Sequence, residues 1–538
     1  MALPAALVPL RHPLFRMLWL TNLVVSFGVW MQNTGAGWLM ATLSPDALTV
    51  SLVSVATILP VFLLALPAGA LADIVDKRLF IIATQSWMLA VAAILALLTY
   101  AGWVGATTLL MLTFALGLGA AMNNPAWGTV MAESVPRRDL VQAIALNGVG
   151  FNIARAVGPA LAGVLVVFGG PELAFALNAV SYLAVIFVLL TWRRGRVRSS
   201  SLPRENLLSA MRAGMRFVRH SPIMRATMAR TAAFFFAGAA PWAMLPLVVK
   251  QQLGLGAGAF GILLGLMGGG GVAAGMMLPQ IRARLSRGAT VFAASLSACA
   301  GIALLATASH WAQAALAMVL FGIGWVSASS VAQGAAQLAA PAWVRSRALA
   351  IYQLGFNFAL GLGTLFWGWL GTRLGLQTAL IAAAATGLVL AVLARRFDID
   401  HEPAATAPAA SLPAPEAVDP DLVAVMPKAR GQVLESQPYR IAAADRDRFL
   451  AVMAELRDVR HRAGAVDWQL YEDIAHADAW LEVWSVENWS DHLREASRMA
   501  EADRAVLVRA MALNQGAPIA PSRFLAVAPR LPRGDDSG

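Results

Sequence analysis

Residues 150–163 are GFNIARAVGPALAG, and residues 355–368 are GFNFALGLGTLFWG. The two stretches lie 205 positions apart, and a wider set of residues keeps that offset. The matching pairs extend over both copies: Pro136, Ala143, Ala145, Gly150, Phe151, Asn152, Gly158 and Gly163 recur as Pro341, Ala348, Ala350, Gly355, Phe356, Asn357, Gly363 and Gly368. Each copy runs from a polar loop into a long apolar segment. A parallel repeat of this kind is typical of membrane proteins with a solute path between two halves.

Charge is unequally distributed along the chain. The sequence is 58% hydrophobic and 13% charged, whereas soluble domains carry about 25% charged residues. Residues 1–397 contain 26 Lys and Arg against seven Asp and Glu, and residues 398–538 contain 15 against 23. The basic excess therefore belongs to loops at a membrane surface, and it does not predict nucleic-acid binding. The single cysteine, Cys299, excludes an intramolecular disulfide and a cysteine-based metal site.

Twelve stretches are long enough to cross a bilayer, since a helical crossing needs about 20 apolar residues. They are predicted near 14–42, 49–72, 79–101, 105–131, 141–168, 173–192, 226–249, 257–281, 289–308, 312–336, 347–371 and 376–395. We expect an all-α membrane protein with a six-helix lobe at 1–192, a basic linker at 193–225 and a second six-helix lobe at 226–397.

The basic residues alternate between the two sides of these stretches. One side carries only Lys250 and Arg373, and the other carries nearly all remaining Lys and Arg. The positive-inside rule then predicts a protein of the inner cell membrane, with both termini and the linker in the cytoplasm. Residues 203–220 place apolar side chains at helical spacing between arginines. This pattern predicts an amphipathic helix, either on the inner leaflet or in solvent.

The loop after the second stretch contains a recognisable pattern of five residues: Gly69, Asp73, Asp76, Lys77 and Arg78. It resembles the signature loop of the major facilitator superfamily, except that Ile74 and Asp76 stand where that pattern usually has a basic residue and a glycine. These two departures, together with the tryptophan-rich 30–38 segment, resemble the branch of the enterobactin exporter and the transmembrane secretion effectors. The resemblance implies that the loop latches the two lobes in one state and releases them in another. From the residues alone, Asp73 could instead only cap a helix, while Lys77 and Arg78 could contact lipid phosphates.

Residues 152–163 resemble the antiporter motif of the same superfamily. Gly158, Pro159 and Gly163 combine close helix packing with a proline kink. The second copy keeps Gly363 and Gly368 but lacks the proline. These positions are predicted to determine helix packing and bending.

Arg155 is the one charge predicted deep inside a crossing, where such a residue normally faces a cavity or a partner. It either attracts an anion in the substrate path or bonds to carbonyls and neighbouring asparagines. The predicted path contains seven further polar residues: Gln32, Asn33, Asn123, Asn124, Asn152, Gln353 and Asn357. Nearby aromatic residues, including Trp30, Phe151 and Trp242, would suit a large amphipathic substrate.

The family resemblance implies that transport is coupled to protons, but the distribution of acidic residues weakens that inference. No Asp or Glu occurs between Asn206 and Phe397, although proton antiport usually needs a buried titratable group. The glycines at 268–271 lack the Lys-Ser/Thr ending of a phosphate-binding loop. We therefore expect no ATP, no other cofactor and no metal.

The C-terminal part is predicted to be separate. Residues 398–432 are rich in Ala, Pro and acids, which predicts a disordered linker. Residues 433–530 have the predicted order βαββαβ, with one long second helix at 490–511, which indicates a cytoplasmic α+β ferredoxin-like domain. Five residues contribute to a resemblance to antibiotic-biosynthesis-monooxygenase-like domains, which form dimeric α/β barrels: Trp468, Trp480, Glu482, Trp489 and His492. It implies self-association, and His492 is either reactive or structural; no catalytic residue is assigned.

Three functions remain open at this point. The repeat favours a secondary exporter that moves a small amphipathic molecule, such as a siderophore or drug, by alternating access. An importer of the same fold is the first alternative. A membrane-tethered sensor or enzyme acting through the C-terminal domain is the second.

Overall fold

The computed structural model describes residues 5–191, 207–341, 343–400, 431–499, 501–515 and 520–526. Within these residues, eleven helices are long and apolar enough to cross a membrane. The first half of the chain contains α1 (Pro13–Leu43), α2 (Ala47–Ile74), α3 (Lys77–Tyr100), α4 (Ala106–Glu133) and α5 (Leu140–Thr191). The short helix α6 (Leu207–His220) precedes the second half, which contains α7 (Pro222–Leu247), α8 (Ala257–Arg282), α9 (Arg287–Ala306), α10 (Trp311–Ala339), α11 (Arg345–Leu374) and α12 (Leu376–Ala394).

Helix α5 is interrupted at Gly169 and Gly170. Gly170 has a φ of 71°, a conformation that glycine adopts without steric cost, and Pro171 follows it without an amide hydrogen. The break lies in the interval where the sequence predicts one crossing to end and the next to begin. Each arm of α5 is longer than the roughly 20 residues that a crossing needs.

Some of the helices begin at side-chain caps, and the long helices carry apolar outer surfaces. Asp46 accepts a hydrogen bond from the amide of Thr49 at the start of α2, and Ser286 accepts one from Ala289 at the start of α9. Large side chains such as Leu97 and Phe168 remain exposed. Exposed apolar surface on long helices is suited to contact with lipid rather than water.

The chain divides into two compact units. The first contains Met1–Pro203, Met228–Gly334 and Gln353–Asp398. The second contains Arg204–Thr227, Ala335–Tyr352 and Ile399–Gly538. The second unit therefore includes helix α6, the end of α10, the beginning of α11 and the C-terminal domain.

Within its described residues, the C-terminal domain has a four-stranded antiparallel sheet with three α-helices. Its elements in chain order are β1 (Val433–Arg440), α13 (Arg446–Ala463), β2 (Asp467–Glu472), β3 (Ala479–Val486), α14 (Trp489–Arg498), α15 (Glu501–Ala512) and β4 (Ser522–Leu525). The strand order is β2-β3-β1-β4. The single helix predicted at 490–511 is in fact two, because Met499 has an extended backbone that ends α14.

Candidate functional site

A narrow cavity lies between the two halves of the first unit, with about 300 Å³ of space free of protein atoms when its opening to solvent is included. Trp30 of α1 and Arg155 of α5 contribute from the first half, while Trp242 of α7 and Trp325 of α10 contribute from the second half. Small-molecule sites are typically concave, mostly apolar and furnished with a few polar groups. This cavity has that character.

The aromatic side chains form a continuous surface from one half to the other. The ring centroids of Trp30 and Trp242 are 6.3 Å apart, and those of Trp242 and Trp325 are 5.5 Å apart. Phe151 continues the row, with its ring centroid 6.1 Å from that of Trp30. These separations fall in the range in which aromatic pairs attract each other. The rings therefore connect the two halves through a surface that can also accept a flat ligand.

The polar groups in the cavity wall are hydrogen-bond donors without partners. Arg155 is half-buried and has no hydrogen bond or ion pair within the described residues. The indole N–H of Trp242 is buried and also unpartnered among them. An unsatisfied buried donor costs about 1–3 kcal/mol, and more if it is charged. A ligand that offers an acceptor, above all an anion, would remove this cost.

The neighbouring asparagines do not satisfy Arg155. Asn123 accepts from the hydroxyl of Thr84 at 3.1 Å, and the amide of Asn152 donates to the carbonyl of Gly148 at 2.9 Å. The hydrogen-bonded structural arginine considered from the sequence is therefore not the arrangement found here.

The remaining predicted path residues lie outside this cavity wall. Gln32 is buried and accepts from Asn178 at 3.3 Å, a contact between α1 and α5. Asn124 and Gln353 are exposed, and Asn33 and Asn357 are half-buried. Sequence reasoning missed Trp325, because a tryptophan within a uniformly apolar stretch carries no signal for the direction it faces.

Glycines allow α5 and α8 to approach closely beside the cavity. A Cβ atom at Gly261 would lie 2.6 Å from the carbonyl oxygen of Pro159 and from the Cα of Gly163. Gly158 packs in the same manner against Trp30. In the second copy, Gly363 packs against the carbonyl of Phe236, and Gly368 packs against Ser51 of α2. Small residues at such positions let helix backbones touch in a membrane.

Hydrogen bonds join the two halves at the end of the helices where Lys and Arg are scarce. Lys250 donates to the carbonyl of Ala41 at 2.8 Å, and Gln251 donates to that of Pro45 at 3.1 Å. Thr372 accepts from the amide of Leu48 at 3.0 Å, and its hydroxyl donates to Asp46. These bonds fasten the first half to the second on that side of the cavity.

The loop between α2 and α3 is bonded within the first half. Asp76 caps α3 by accepting from the amides of Arg78 and Leu79 at 2.8 and 3.1 Å. Lys77 pairs with Glu133 at 2.7 Å, and Arg78 donates to the carbonyl of Leu189 at 2.6 Å. Both basic side chains are thus engaged by protein groups rather than directed only toward lipid. The side chain of Asp73 and the surroundings of Gly69 lie outside the described residues.

A family model for transmembrane secretion effectors matches residues 4–528. The chain belongs to this family of major facilitator superfamily transporters. It is accordingly a multi-pass membrane protein of a transporter family.

Two curated relatives are also transporters. The chain is 26% identical over 171 residues to the staphyloferrin A transporter of Staphylococcus aureus (strain NCTC 8325 / PS 47), covering 32% of this chain and 43% of the relative. It is 28% identical over 265 residues to an uncharacterized MFS-type transporter of Sinorhizobium fredii (strain NBRC 101917 / NGR234), covering 48% and 61%. The transporter therefore matches less than two thirds of the length of either relative.

Solved structures share the fold. A bacterial homologue of the human lysosomal transporter Spinster, in an inward-facing and unoccupied conformation, matches with a TM-score of 0.58 and 14% identity, covering 74% of this chain and 98% of that one. The nucleoside transporter NupG matches with a TM-score of 0.58 and 14% identity, covering 71% and 99%. At these identities the likeness establishes the fold alone.

The C-terminal domain of the transporter has a buried polar network of its own. Arg460 is fully buried and donates to both carboxylate oxygens of Glu482 at 2.9 and 3.2 Å. Tyr439 and Trp468 donate to the same carboxylate at 3.0 and 2.9 Å. Burial raises the pKa of the adjacent Glu495 to about 7. Such a network is stabilising only while every member keeps its partner.

His492 belongs to the edge of this network. Its Nδ1 lies 2.6 Å from Glu435 and its Nε2 lies 3.3 Å from a guanidinium nitrogen of Arg523. The ligand atoms of Glu435, His492 and Glu495 are within 4.8 Å of one another. A metal ion bound at Nδ1 of the neutral ring would leave the ring proton on Nε2. That proton would then face the N–H donor of Arg523. The hydrogen bonds therefore favour the structural role for His492 over metal ligation.

Proposed function

We propose that this transporter exports a small amphipathic molecule, of siderophore or drug-like type, by alternating access. The observation that supports this most directly is the cavity between the halves, where Arg155 and the indole N–H of Trp242 are unpartnered within an aromatic wall. Donors without an acceptor favour an anionic group on the substrate, and the rings favour an apolar or flat body. The name of the staphylococcal relative, a staphyloferrin A transporter, supports the siderophore class.

The proposal includes a membrane arrangement. If the two arms of α5 cross separately, the eleven apolar helices make twelve crossings in two lobes of six. The positive-inside rule then puts both termini in the cytoplasm of an inner-membrane protein. The bonds of Lys250 and Thr372 would lie on the outer side and close it, so the cavity would open inward. Release of these bonds would be the step that opens the outer side.

We propose that the latch between the two lobes and the coupling of transport to protons are both located at the inner face of the membrane. The described part of the cavity wall contains no carboxylate. A coupling proton would therefore use the carboxylates beside the α2–α3 loop and its neighbours, namely Asp73, Asp76, Glu133 and Asp139. Asp139 bonds to His12 at 2.9 Å, and Glu133 bonds to Lys77. A latch that titrates here would link the inner gate to proton binding.

Replacing Arg155 tests the substrate site. We expect Arg155→Gln to lower export about tenfold or more, because a charge-assisted hydrogen bond contributes about 1.5–3 kcal/mol. The measurement is uptake of a panel of labelled siderophores and dyes into energised inverted vesicles. Arg396→Gln is the control, because Arg396 is exposed and lies outside the cavity wall and the proposed latch.

Wild-type uptake by Arg155→Gln at equal abundance would remove Arg155 from the substrate path. Uptake that occurs only in right-side-out vesicles would replace the exporter by an importer of the same fold. Loss of uptake in Asp73→Asn, with retained substrate binding, would support the latch.

The C-terminal domain is proposed to be a ferredoxin-like module that self-associates. Its strand order and alternation of helices and strands support that fold. One sheet face leaves large side chains exposed, among them Leu434, Tyr471, Leu481 and Phe524. An exposed apolar patch of this kind commonly marks a protein interface.

We expect Leu481→Glu to separate the associated transporter into monomers, because a charge placed in an apolar interface must be buried without a partner. The mass of the full chain in detergent, measured by light scattering, reports the change. Glu455→Gln, at an exposed position of α13, should leave the mass unaltered. A monomeric wild type would contradict self-association.

A further inference from the structure

Helix α6 is packed against protein within the second unit. Its buried residues include Gly214, Phe217 and Val218, whereas Arg212 and Met215 are exposed. The sequence predicts that this helix lies on the lipid leaflet or in solvent. Instead, its neighbours are the C-terminal domain and the segment Ala335–Tyr352, which connects α10 to α11.

The end of α6 contacts helix α13 of the C-terminal domain through two histidines. The rings of His220 and His461 are stacked with their centroids 4.3 Å apart and their planes at 23°. Nδ1 of His220 lies 3.1 Å from a carboxylate oxygen of Asp458. Arg462 donates to the backbone carbonyl of His220 at 3.1 Å. One turn earlier, Arg216 pairs with Glu487 at 3.1 Å.

The connecting segment contacts both α6 and the C-terminal domain. The indole N–H of Trp343 donates to the carbonyl of Arg498 at 3.0 Å, and the Arg498 guanidinium lies 4.9 Å from the ring centroid. Phe217 of α6 meets the same indole edge-on, with centroids 6.4 Å apart. A Cβ atom at Gly214 would lie 3.0 Å from the side chain of Arg347. Helix α6, the connecting segment and the C-terminal domain thus contact one another pairwise.

We infer that the C-terminal domain is a clasp that holds helix α6 at neutral pH and releases it in acid, with the stacked His220–His461 pair as the switch. The clasp joins the linker between the two halves to the residues just before α11. Releasing it would therefore free both the linker helix and the residues just before α11 from the C-terminal domain.

The surroundings of His461 disfavour a proton on its ring. Such a proton would add a cation at stacking distance from the His220 ring, on a helix that also carries Arg457 and Arg462; Arg462 itself pairs with Asp503, and Asp458 faces His220. His461 Nδ1 is 3.1 Å from the carbonyl of Ala465, to which a neutral ring with its proton on Nδ1 can donate. The docked arrangement therefore accommodates a neutral His461 and disfavours a charged one.

The direction of the pH effect follows from the histidine pKa. Burial lowers the pKa of His461 from its ordinary value of 6.5, and the charge of His220 lowers it further, while the Ala465 carbonyl and Asp458 act in the opposite direction. Since release restores the ordinary pKa, docking contributes fully above about pH 6.5 and is lost as the pH falls below it.

Electron spin resonance distances on the full-length transporter test the clasp. Cys299→Ser removes the native thiol, and spin labels are attached at Met215→Cys on α6 and Ala454→Cys on α13, both exposed positions. We expect a single narrow distance at pH 7.5 and a broad, longer distribution at pH 5.5. The variant His461→Asn should keep the narrow distance at both values, and His476→Gln, at an exposed histidine elsewhere in the domain, should respond like the parent.

Three outcomes would overturn the inference. A broad distribution at pH 7.5 would exclude docking, and an unchanged narrow distance in the parent at pH 5.5 would exclude the switch. A full acid response in His461→Asn would exclude His461 as its origin. A second label pair within the domain, Ala454→Cys with Gln469→Cys, must keep its distance at pH 5.5, which separates release from unfolding.

Discussion

The substitution Gly268→Ala is expected to lower export about tenfold or more, whereas Gly269→Ala leaves it near the parent level. A Cβ atom at Gly268 would collide with the backbone of Ala156 across the contact between the two halves, but at Gly269 no atom lies within 4 Å. Overpacking a close contact costs about 1–3 kcal/mol. That cost shifts the equilibrium between cavity states by roughly 5- to 150-fold.

The two variants form a matched pair. They are adjacent in α8, they add the same methyl group, and alanine raises the intrinsic helix propensity equally in both. Initial export rates in inverted vesicles, normalised to the abundance of transporter, provide the comparison. Equal rates for the two variants would mean that α5 and α8 do not remain in contact during the rate-determining step.

The second large effect is on folding: we expect the substitution Arg460→Ala to unfold the C-terminal domain. Glu482 has no exposed surface, and Arg460 supplies two of the hydrogen bonds to its carboxylate. Glu495, at 3.3 Å from the same guanidinium, also loses its cationic neighbour. Removing one partner of a buried ion pair costs about 3–5 kcal/mol. A small domain has a total stability of only about 5–15 kcal/mol.

Limited proteolysis of the full-length transporter measures this effect. In the parent, the C-terminal domain should persist as a resistant fragment, and in Arg460→Ala it should be degraded at a rate close to that of an unfolded chain. Arg457→Ala is the control, because it lies on the same helix with a side chain 52% exposed. A fragment of parental resistance in Arg460→Ala would show that the buried charges do not hold the domain together.

Patterns that depend on neighbouring residues were predictable. The apolar stretches, the break near Gly169 and Gly170 and the order of the strands follow from composition and local periodicity. The prediction of a single long helix at 490–511 was wrong. The sequence around Met499 has a helical pattern that does not reveal the extended backbone of this residue. The amphipathic pattern of α6 predicted a helix correctly but not its surroundings, since lipid, water and protein can all cover an apolar stripe.

The residues of the cavity illustrate the same limit of prediction from local sequence. Arg155 stands out in the sequence because a charge in an apolar crossing is costly wherever it points. Its lack of a partner among the described residues, and the presence of Trp325 in the same cavity wall, depend on how α5, α8 and α10 are packed.

The sequence by itself determined that this chain is a membrane protein built from a parallel repeat, because hydrophobicity and the shared offset are properties of the residues in order. The tertiary structure alone decided which donors face the cavity, which glycines join the two halves and which surface covers α6. Those features depend on contacts between residues far apart in the chain, where packing and unpaired polar groups outweigh local preference.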